Sequence, residues 1–429
     1  MELKQCLGRR ALLLDGATGT QLQAKGLQSG ECPERWNVER RQEMIGIHWA
    51  YYEAGADLVL ANTFGANRLK LRNCPYSVSQ VVTAALENLR EARDQAGHGW
   101  LGLDVGPTGQ LMAPMGELDF DQAVEAFSEV IRAGADAGAD AVVIETMTDL
   151  YELKAAVLAA RTCCSLPVLA TVAFDENGRL LTGGDCAALV SLLEGLGVDA
   201  LGLNCGAGPL QLQATVERLL ELASVPVVFK PNAGLPHVEP DGAVRYDIDA
   251  DTFARSVAEM VQRGVWVAGG CCGTTPEHIA RLRAACQGVE PKTVTPKSQV
   301  LISSGSRALN VAQLDLDALE PIAVPEDGDD LLDEVFDRQD EEEPLLRLDF
   351  SHGGLTPLEA VEAVQEVSRL PLWLEGARAD ALEPALRRVN GKAMVTVAGE
   401  DGQLLELLCR YGGVAYDPAD GAVRSCRRA

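Results

Sequence analysis

Eight short apolar runs, most of them separated by longer amphipathic stretches, fill roughly the first two thirds of the chain, and this alternation constrains the fold more than any other feature. The runs are ALLLDG from Ala11, ADLVLANT from Ala56, LGLDVGP from Leu101, ADAVVIET from Ala139, PVLATVAF from Pro167, VDALGLNC from Val198, PVVFKPNA from Pro226 and GVWVAGGCC from Gly264. Between them, stretches such as 40–54 and 121–137 repeat Ala, Ile, Val and Phe at three-to-four spacing, the period of helices with one buried face. Eight strands each followed by a helix predict an α/β fold of the closed (β/α)8 TIM-barrel type. An open doubly wound sheet would carry a glycine fingerprint after its first strand, and DGATGT from Asp15 lacks the G-x-G-x-x-G spacing.

The barrel is expected over residues 1–288. Residues 289–343 read as a linker, acidic in its second half from Glu326 to Glu343, and residues 344–429 as a small α/β unit with too few strands for a second barrel. A formal charge of -26 and a pI near 4.6 leave no basic stripe for nucleic acid. No run approaches the ~18 uninterrupted apolar residues of a membrane span. The opening stretch MELKQCLGRRALLLDG is too short in its apolar part for a signal peptide and reads as a strand. The 12 cysteines do not form the dense framework of a small secreted domain, so reduced thiols or metal ligands in a cytoplasmic protein are expected.

In a barrel of this kind the chemistry sits where the strands end. Here the ends are polar: Asp15, Asn62 and Thr63, Asp104, Glu145, Cys205, Lys230 and Asn232, then Cys271 and Cys272. Taken singly, Asp104 and Asn62 read equally well as helix caps or turn formers. The cysteines do not. Cys271 and Cys272 lie in the glycine-flanked turn GGCCGTT, and Cys205 ends the sixth run in GLNCGAGP. Three thiolates plus one open position form a complete catalytic zinc site, Zn2+ held by Cys205, Cys271 and Cys272 with a substrate sulfur as fourth ligand. His278, the nearest histidine in sequence, is expected on the surface of the following helix. A thiol bound to zinc is deprotonated at neutral pH and can attack a methyl group without a protein acid or base, so no catalytic residue beyond the metal site is called for. Asp15 and Glu145 are anions suited to an ammonium group, the backbone amides of Gly16 and Ala17 to a carboxylate, and Asn232 completes the expected substrate contacts. An amino-acid thiol carries both groups.

Through DGATGT, ANTFGAN, VGPTG, VIETMTDL, FDENGRLLTG, GLNCGAGP, KPNAGLP and GGCCGTTPEHI, the sequence over roughly residues 10–290 resembles the zinc-dependent homocysteine S-methyltransferases. The resemblance is nearest to the N-terminal homocysteine-binding barrel of cobalamin-dependent methionine synthases. It implies a TIM barrel, the Cys205–Cys271–Cys272 zinc site, and homocysteine held by its amino group near Asp15 and Glu145. The tail, with SSGSRALNV from Ser303 and LPLWLEGARADALEPALRRVNGKAMVTVAGE from Leu370, resembles a shortened pterin-binding barrel. Glu375 stands where that resemblance implies Asp, and Ala398 where it implies Asn, so the tail is not expected to bind folate. A D-x-H-x-x-G cobalamin motif is missing; Asp349-Phe-Ser-His352-Gly has the wrong spacing. The methyl donor is therefore unassigned, and a separate corrinoid protein or a small donor such as S-methylmethionine are the candidates. Two other readings stay open: methylation of a different thiol or selenol, and a non-catalytic subunit of a corrinoid methyl-transfer complex.

Overall fold

The computed structural model describes residues 3–28, 30–238, 244–399 and 401–426. Two compact units account for the chain, one made of Met1–Thr148, Ala155–Leu181 and Val198–Pro296, the other of Asp149–Lys154, Thr182–Gly197 and Lys297–Ala429.

In the first unit the eight apolar runs form eight parallel strands: β1 (Leu12–Leu13), β2 (Leu58–Leu60), β3 (Trp100–Val105), β4 (Ala141–Met147), β5 (Val168–Val172), β6 (Ala200–Asn204), β7 (Val227–Lys230) and β8 (Val265–Ala268). They are hydrogen-bonded in the order β1-β8-β7-β6-β5-β4-β3-β2, and a parallel bridge between Leu14 and Leu58 brings the two ends together. The sheet is a closed barrel. Inward side chains, among them Leu12, Leu14, Leu58, Leu60, Ala141, Val143, Leu169, Ala200, Val228 and Val267, fill its interior as one buried cluster. This is the packed core such barrels need, and apart from Trp100 and Thr146 every strand residue is buried because helices cover the outside.

The outer helices follow from sequence in the same way. Phe120–Asp136 starts at Asp119, whose carboxylate accepts the amide of Asp121 at 2.8 Å, and buries the stripe Ala123, Ala126, Phe127, Val130 and Ile131. His278 differs from expectation. It sits in the first turn of Pro276–Ala285, where Nδ1 accepts the Thr275 amide at 3.2 Å, and its ring is half-buried edge-on to Phe253.

The second unit holds an open six-stranded sheet. Strands Ile322–Ala323, Leu346–Asp349, Leu372–Glu375, Met394–Thr396 and Val414–Asp417 run parallel in chain order, and Ala422–Ser425 closes the edge antiparallel. A smaller antiparallel sheet joins Ala308–Asn310, Leu301–Ser304 and Gly391–Lys392.

Two features depart from the sequence expectation. Much of the stretch read as a linker is structured: the acidic segment forms the helix Gly328–Asp340, which turns Leu331 and Val335 inward and keeps most of its carboxylates in water. The unit also takes in two stretches from inside the first 288 residues. The helix Cys186–Gly195 is buried at all its residues but Ala187, and Lys154 Nζ donates to the carbonyls of Leu386 at 2.9 Å and Val389 at 2.6 Å, capping the helix Ala379–Arg388. A helix apolar on nearly every side, as here apart from Ser191 and Glu194, has little face for solvent and belongs in the interior of a larger body.

Candidate metal and substrate site

The carboxyl ends of β6 and β8 flank that of β7, and their three cysteines converge: the sulfurs of Cys205, Cys271 and Cys272 all lie within 4.8 Å of one another. Cys205 Sγ and Cys272 Sγ are 3.9 Å apart.

Backbone geometry aims them. Cys205 is held at φ 60, a left-handed conformation costly for a side-chain-bearing residue, and its amide donates to Lys230 O at 3.0 Å. Gly206, at φ 75, lets the chain turn away, and a Cβ there would stand 2.2 Å from the carbonyl oxygen of Phe174. That oxygen is backbone and cannot rotate aside. Gly206→Ala is therefore expected to cost on the order of 1–3 kcal/mol and to misplace Cys205, seen as a lower unfolding temperature together with weaker zinc uptake. Across the site, Cys271 N donates to Pro231 O at 2.8 Å, Thr274 Oγ1 to Cys271 O at 2.7 Å, and Ala233 N to Cys272 O at 2.9 Å.

Two supporting residues escaped the sequence reading. Asn204 Oδ1 accepts the Thr146 amide at 2.7 Å and the Thr171 hydroxyl at 2.8 Å, while its Nδ2 donates to Thr146 Oγ1 at 2.7 Å and lies 3.8 Å from Cys271 Sγ. One buried amide thus locks the ends of β4, β5 and β6 against a candidate ligand. Tyr246, from a short hairpin of Pro236–Val238 and Val244–Tyr246, donates a hydrogen bond to Cys272. Nothing in LPHVEPDGAVRYD marks that tyrosine beforehand.

The donor set suits a thiophilic dication. The Cys205 thiol is pushed up to about 11, the hydrogen bond with Cys271 being outweighed by that with Cys272 and by burial. Cys272 rises to about 12, its hydrogen bond to Cys205 outweighed by that with Cys271 and by burial. Cys271 is pushed up further, by its hydrogen bond with Cys205 and by burial. Three sulfurs this close resist ionising alone and share an attraction for one cation.

Beside the sulfurs lies a buried charge cluster. Lys230 Nζ is 2.9 Å from Glu145 Oε2 and 3.5 Å from Asp15 Oδ1. Asp15 Oδ2 accepts the Leu60 amide at 2.8 Å. Burial works against the Lys230 charge, yet Glu145 and Asp15 hold its pKa above the usual lysine range. Burial pushes Asp15 up to about 6 despite the pull of Lys230. The expected pair Asp15 and Glu145 is therefore assembled, with a lysine already between them. Asn232 is buried and its Oδ1 has no hydrogen-bond partner; its amide donates to Ala207 O at 3.0 Å. Gly16 is packed tightly against Thr274 and Tyr51, and the amide of Ala17 donates to Thr274 Oγ1 at 3.2 Å. The Ala17 amide, expected to receive the substrate carboxylate, is thus engaged by Thr274. Asn62 and Thr63 have structural partners: Asn62 Nδ2 donates to Pro33 O and Asn37 Oδ1, and Thr63 Oγ1 donates to Asp104 O.

Residues 12–286 match the family model for homocysteine S-methyltransferase. The chain belongs to that family. Among its relatives, the methionine synthase of Mycobacterium leprae (strain TN) is 30% identical over 465 residues, covering 96% of this chain and 38% of that protein. The methionine synthase of Mycobacterium tuberculosis (strain ATCC 25618 / H37Rv) is 31% identical over 441 residues, 94% of this chain and 36% of its own length. The chain thus spans under two fifths of these relatives, and the similarity runs through its second unit as well as its barrel. Among solved structures, the homocysteine methyltransferase MmuM from Escherichia coli in its metallated form superposes with a TM-score of 0.54 at 26% identity, over 64% of this chain and 96% of that one. Its oxidized form gives the same score and identity.

Proposed function

We propose that this chain binds homocysteine at the mouth of the barrel and methylates its sulfur to give methionine, with Zn2+ held by Cys205, Cys271 and Cys272. The observation that carries the reading is the convergence of three sulfurs within 4.8 Å at the ends of two strands that flank a third, beside a buried pair of carboxylates. When bound, zinc would supply the charge that keeps the substrate sulfur anionic at neutral pH.

The chain's own residues do the rest. Asp15 and Glu145 offer carboxylate oxygens to the substrate ammonium, and the unpartnered Oδ1 of Asn232 offers a neutral acceptor. The tight backbone at Gly16 is the place for the substrate carboxylate, without the Ala17 amide that Thr274 occupies. Asn204, Thr274 and Tyr246 fix the three cysteines, so that the sulfur is presented along one direction for in-line transfer. The proton of the bound thiol leaves to solvent, and no protein base is needed. Twelve free cysteines, three of them converging, fit a reducing cytoplasmic setting.

The methyl group comes from outside this chain, from methylcobalamin on a separate corrinoid protein or from a small donor. In the second unit Glu375 accepts from Nε and Nη2 of Arg347, at 2.9 and 3.1 Å, and from the Thr396 hydroxyl at 3.1 Å. A carboxylate so fully engaged has little left for a pterin, and Ala398 offers no amide.

The test is methionine formation by the zinc-loaded protein with methylcobalamin, S-methylmethionine, betaine or methyltetrahydrofolate as sole donor. Activity with one of the first three is expected, and folate alone should be silent. Activity with folate alone would overturn the reading of the tail. Homocysteine binding without turnover in all four would point to a protein-bound corrinoid donor or to the subunit reading.

A further inference from the structure

We propose that Asp104 is a third carboxylate of the substrate-ammonium pocket and makes this site selective for thiols that carry an amino group. The inference rests on the homocysteine reading above and extends it to a residue whose position alone would suit a turn.

Asp104 lies within β3, one residue short of its carboxyl end, and is 7% exposed. Its backbone is fully accounted for: the amide donates to Thr63 Oγ1 at 3.1 Å, and the carbonyl accepts that same hydroxyl at 2.7 Å. Its side chain is not. Oδ1 is buried with no hydrogen-bond partner, and the carboxyl caps no helix among the described residues. A buried carboxyl oxygen left without a donor costs stability, and such a group persists where something else supplies the donor.

Charge counting points the same way. Asp104 is in the electrostatic range of Glu145, Lys230, Asp15 and Glu34, and of the three strand-end carboxyls only Asp15 and Glu145 pair with the single ammonium of Lys230, at 3.5 and 2.9 Å. Glu34 is occupied elsewhere, accepting the Gly65 amide at 2.7 Å. Burial, then Glu145, push Asp104 well above the usual carboxylate range, as expected of a cluster short of positive charge. The missing partner is a small cation with several N–H donors, which describes a primary ammonium and excludes a neutral group of the same size. Asp104 Oδ1 is the unpartnered acceptor it would meet, beside Asp15 Oδ1, which has only the ion pair with Lys230 at 3.5 Å.

The test uses the full zinc-loaded chain and calorimetric binding of two thiols that differ only in the amino group, homocysteine and 4-mercaptobutanoate. Asp104→Asn, nearly isosteric, is expected to weaken homocysteine by roughly 10- to 100-fold and to leave 4-mercaptobutanoate unchanged. Its unfolding temperature should equal or exceed that of the wild type, because a buried carboxyl is relieved. If Asn distorts the site, Asp104→Ser should show the same selectivity for the aminated thiol. Equal loss for both thiols, or no loss for homocysteine, overturns the assignment. Binding of 4-mercaptobutanoate at least as tight as homocysteine by the wild type also overturns it while leaving the zinc-thiol reading standing, whereas binding of neither overturns both.

Discussion

Cys272→Ser is expected to abolish stoichiometric zinc binding and, with it, methionine formation. The residue's carbonyl accepts Ala233 N and its thiol takes the Tyr246 hydroxyl, so the backbone contact survives the change and only the sulfur is lost. Serine retains the shape of the turn, but its hydroxyl is a far poorer zinc ligand at neutral pH than a thiolate. Two sulfurs, Cys205 and Cys271, then remain for a metal that takes four ligands. The loss in metal affinity should exceed the roughly 10–100-fold that follows when a residue merely orienting a ligand is changed. A structural explanation is separable from this one by unfolding measurements. With chelator present, wild type and variant should agree within about 0.5 kcal/mol. With free zinc at about 1,000 times its dissociation constant, the wild type alone should gain about 4 kcal/mol. Metal analysis of reduced protein decides the matter: unchanged zinc content in the variant would remove the three-cysteine site, whatever happened to activity.

How much of this was legible beforehand depends on whether the cause is local. The barrel was readable because each strand is buried on both faces and so appears as an unbroken apolar run; even the short β1 is announced by ALLLDG. The metal ligands were readable because strand ends are where such a fold displays chemistry, and GLNCGAGP and GGCCGTT place sulfur there. What was hidden depends on partners distant in sequence. Lys230 is a plain strand-end lysine until Glu145, 85 residues away in sequence, is brought against it. Asn204 looks like a turn residue until Thr146 and Thr171 arrive from two other strands. The acidic helix Gly328–Asp340 did carry a signal, Leu331 and Val335 at helical spacing, which the surrounding carboxylates obscured. The largely apolar CAALVSLLEG likewise announced a helix covered on most sides, though not by what.

Lys230→Met should be the most destabilising single change at the barrel mouth, and its cost should depend on pH in a direction that tests the charge cluster. Lys230 is 2% exposed, so methionine can follow the same path through the core while removing the ammonium. Glu145 and Asp15 then lose their counter-ion, and breaking a buried pair by removing one partner costs about 3–5 kcal/mol. The sign with pH follows from two opposite shifts. The Lys230 pKa is raised in the folded protein, so its contribution is present below the unfolded lysine value near 10.4 and undiminished at pH 8. Asp15, raised to about 6, and Asp104, raised well above the usual carboxylate range, hold protons in the folded state that the unfolded chain has released above about 4. For these acids folding is favoured as pH falls, and more so in the variant, where no cation pulls their pKa values down. The deficit of Lys230→Met relative to wild type should therefore be largest at pH 8 and shrink toward pH 5, measured by denaturant unfolding at both values. Adding Glu145→Gln should recover part of the loss at pH 8 but little at pH 5, because the carboxylate stranded by the first change is then gone. A deficit below about 1 kcal/mol at pH 8, or one equal at both pH values, would mean that the pair does not carry charge in the folded protein, and the ammonium pocket would have to be rebuilt around neutral acceptors such as Asn232.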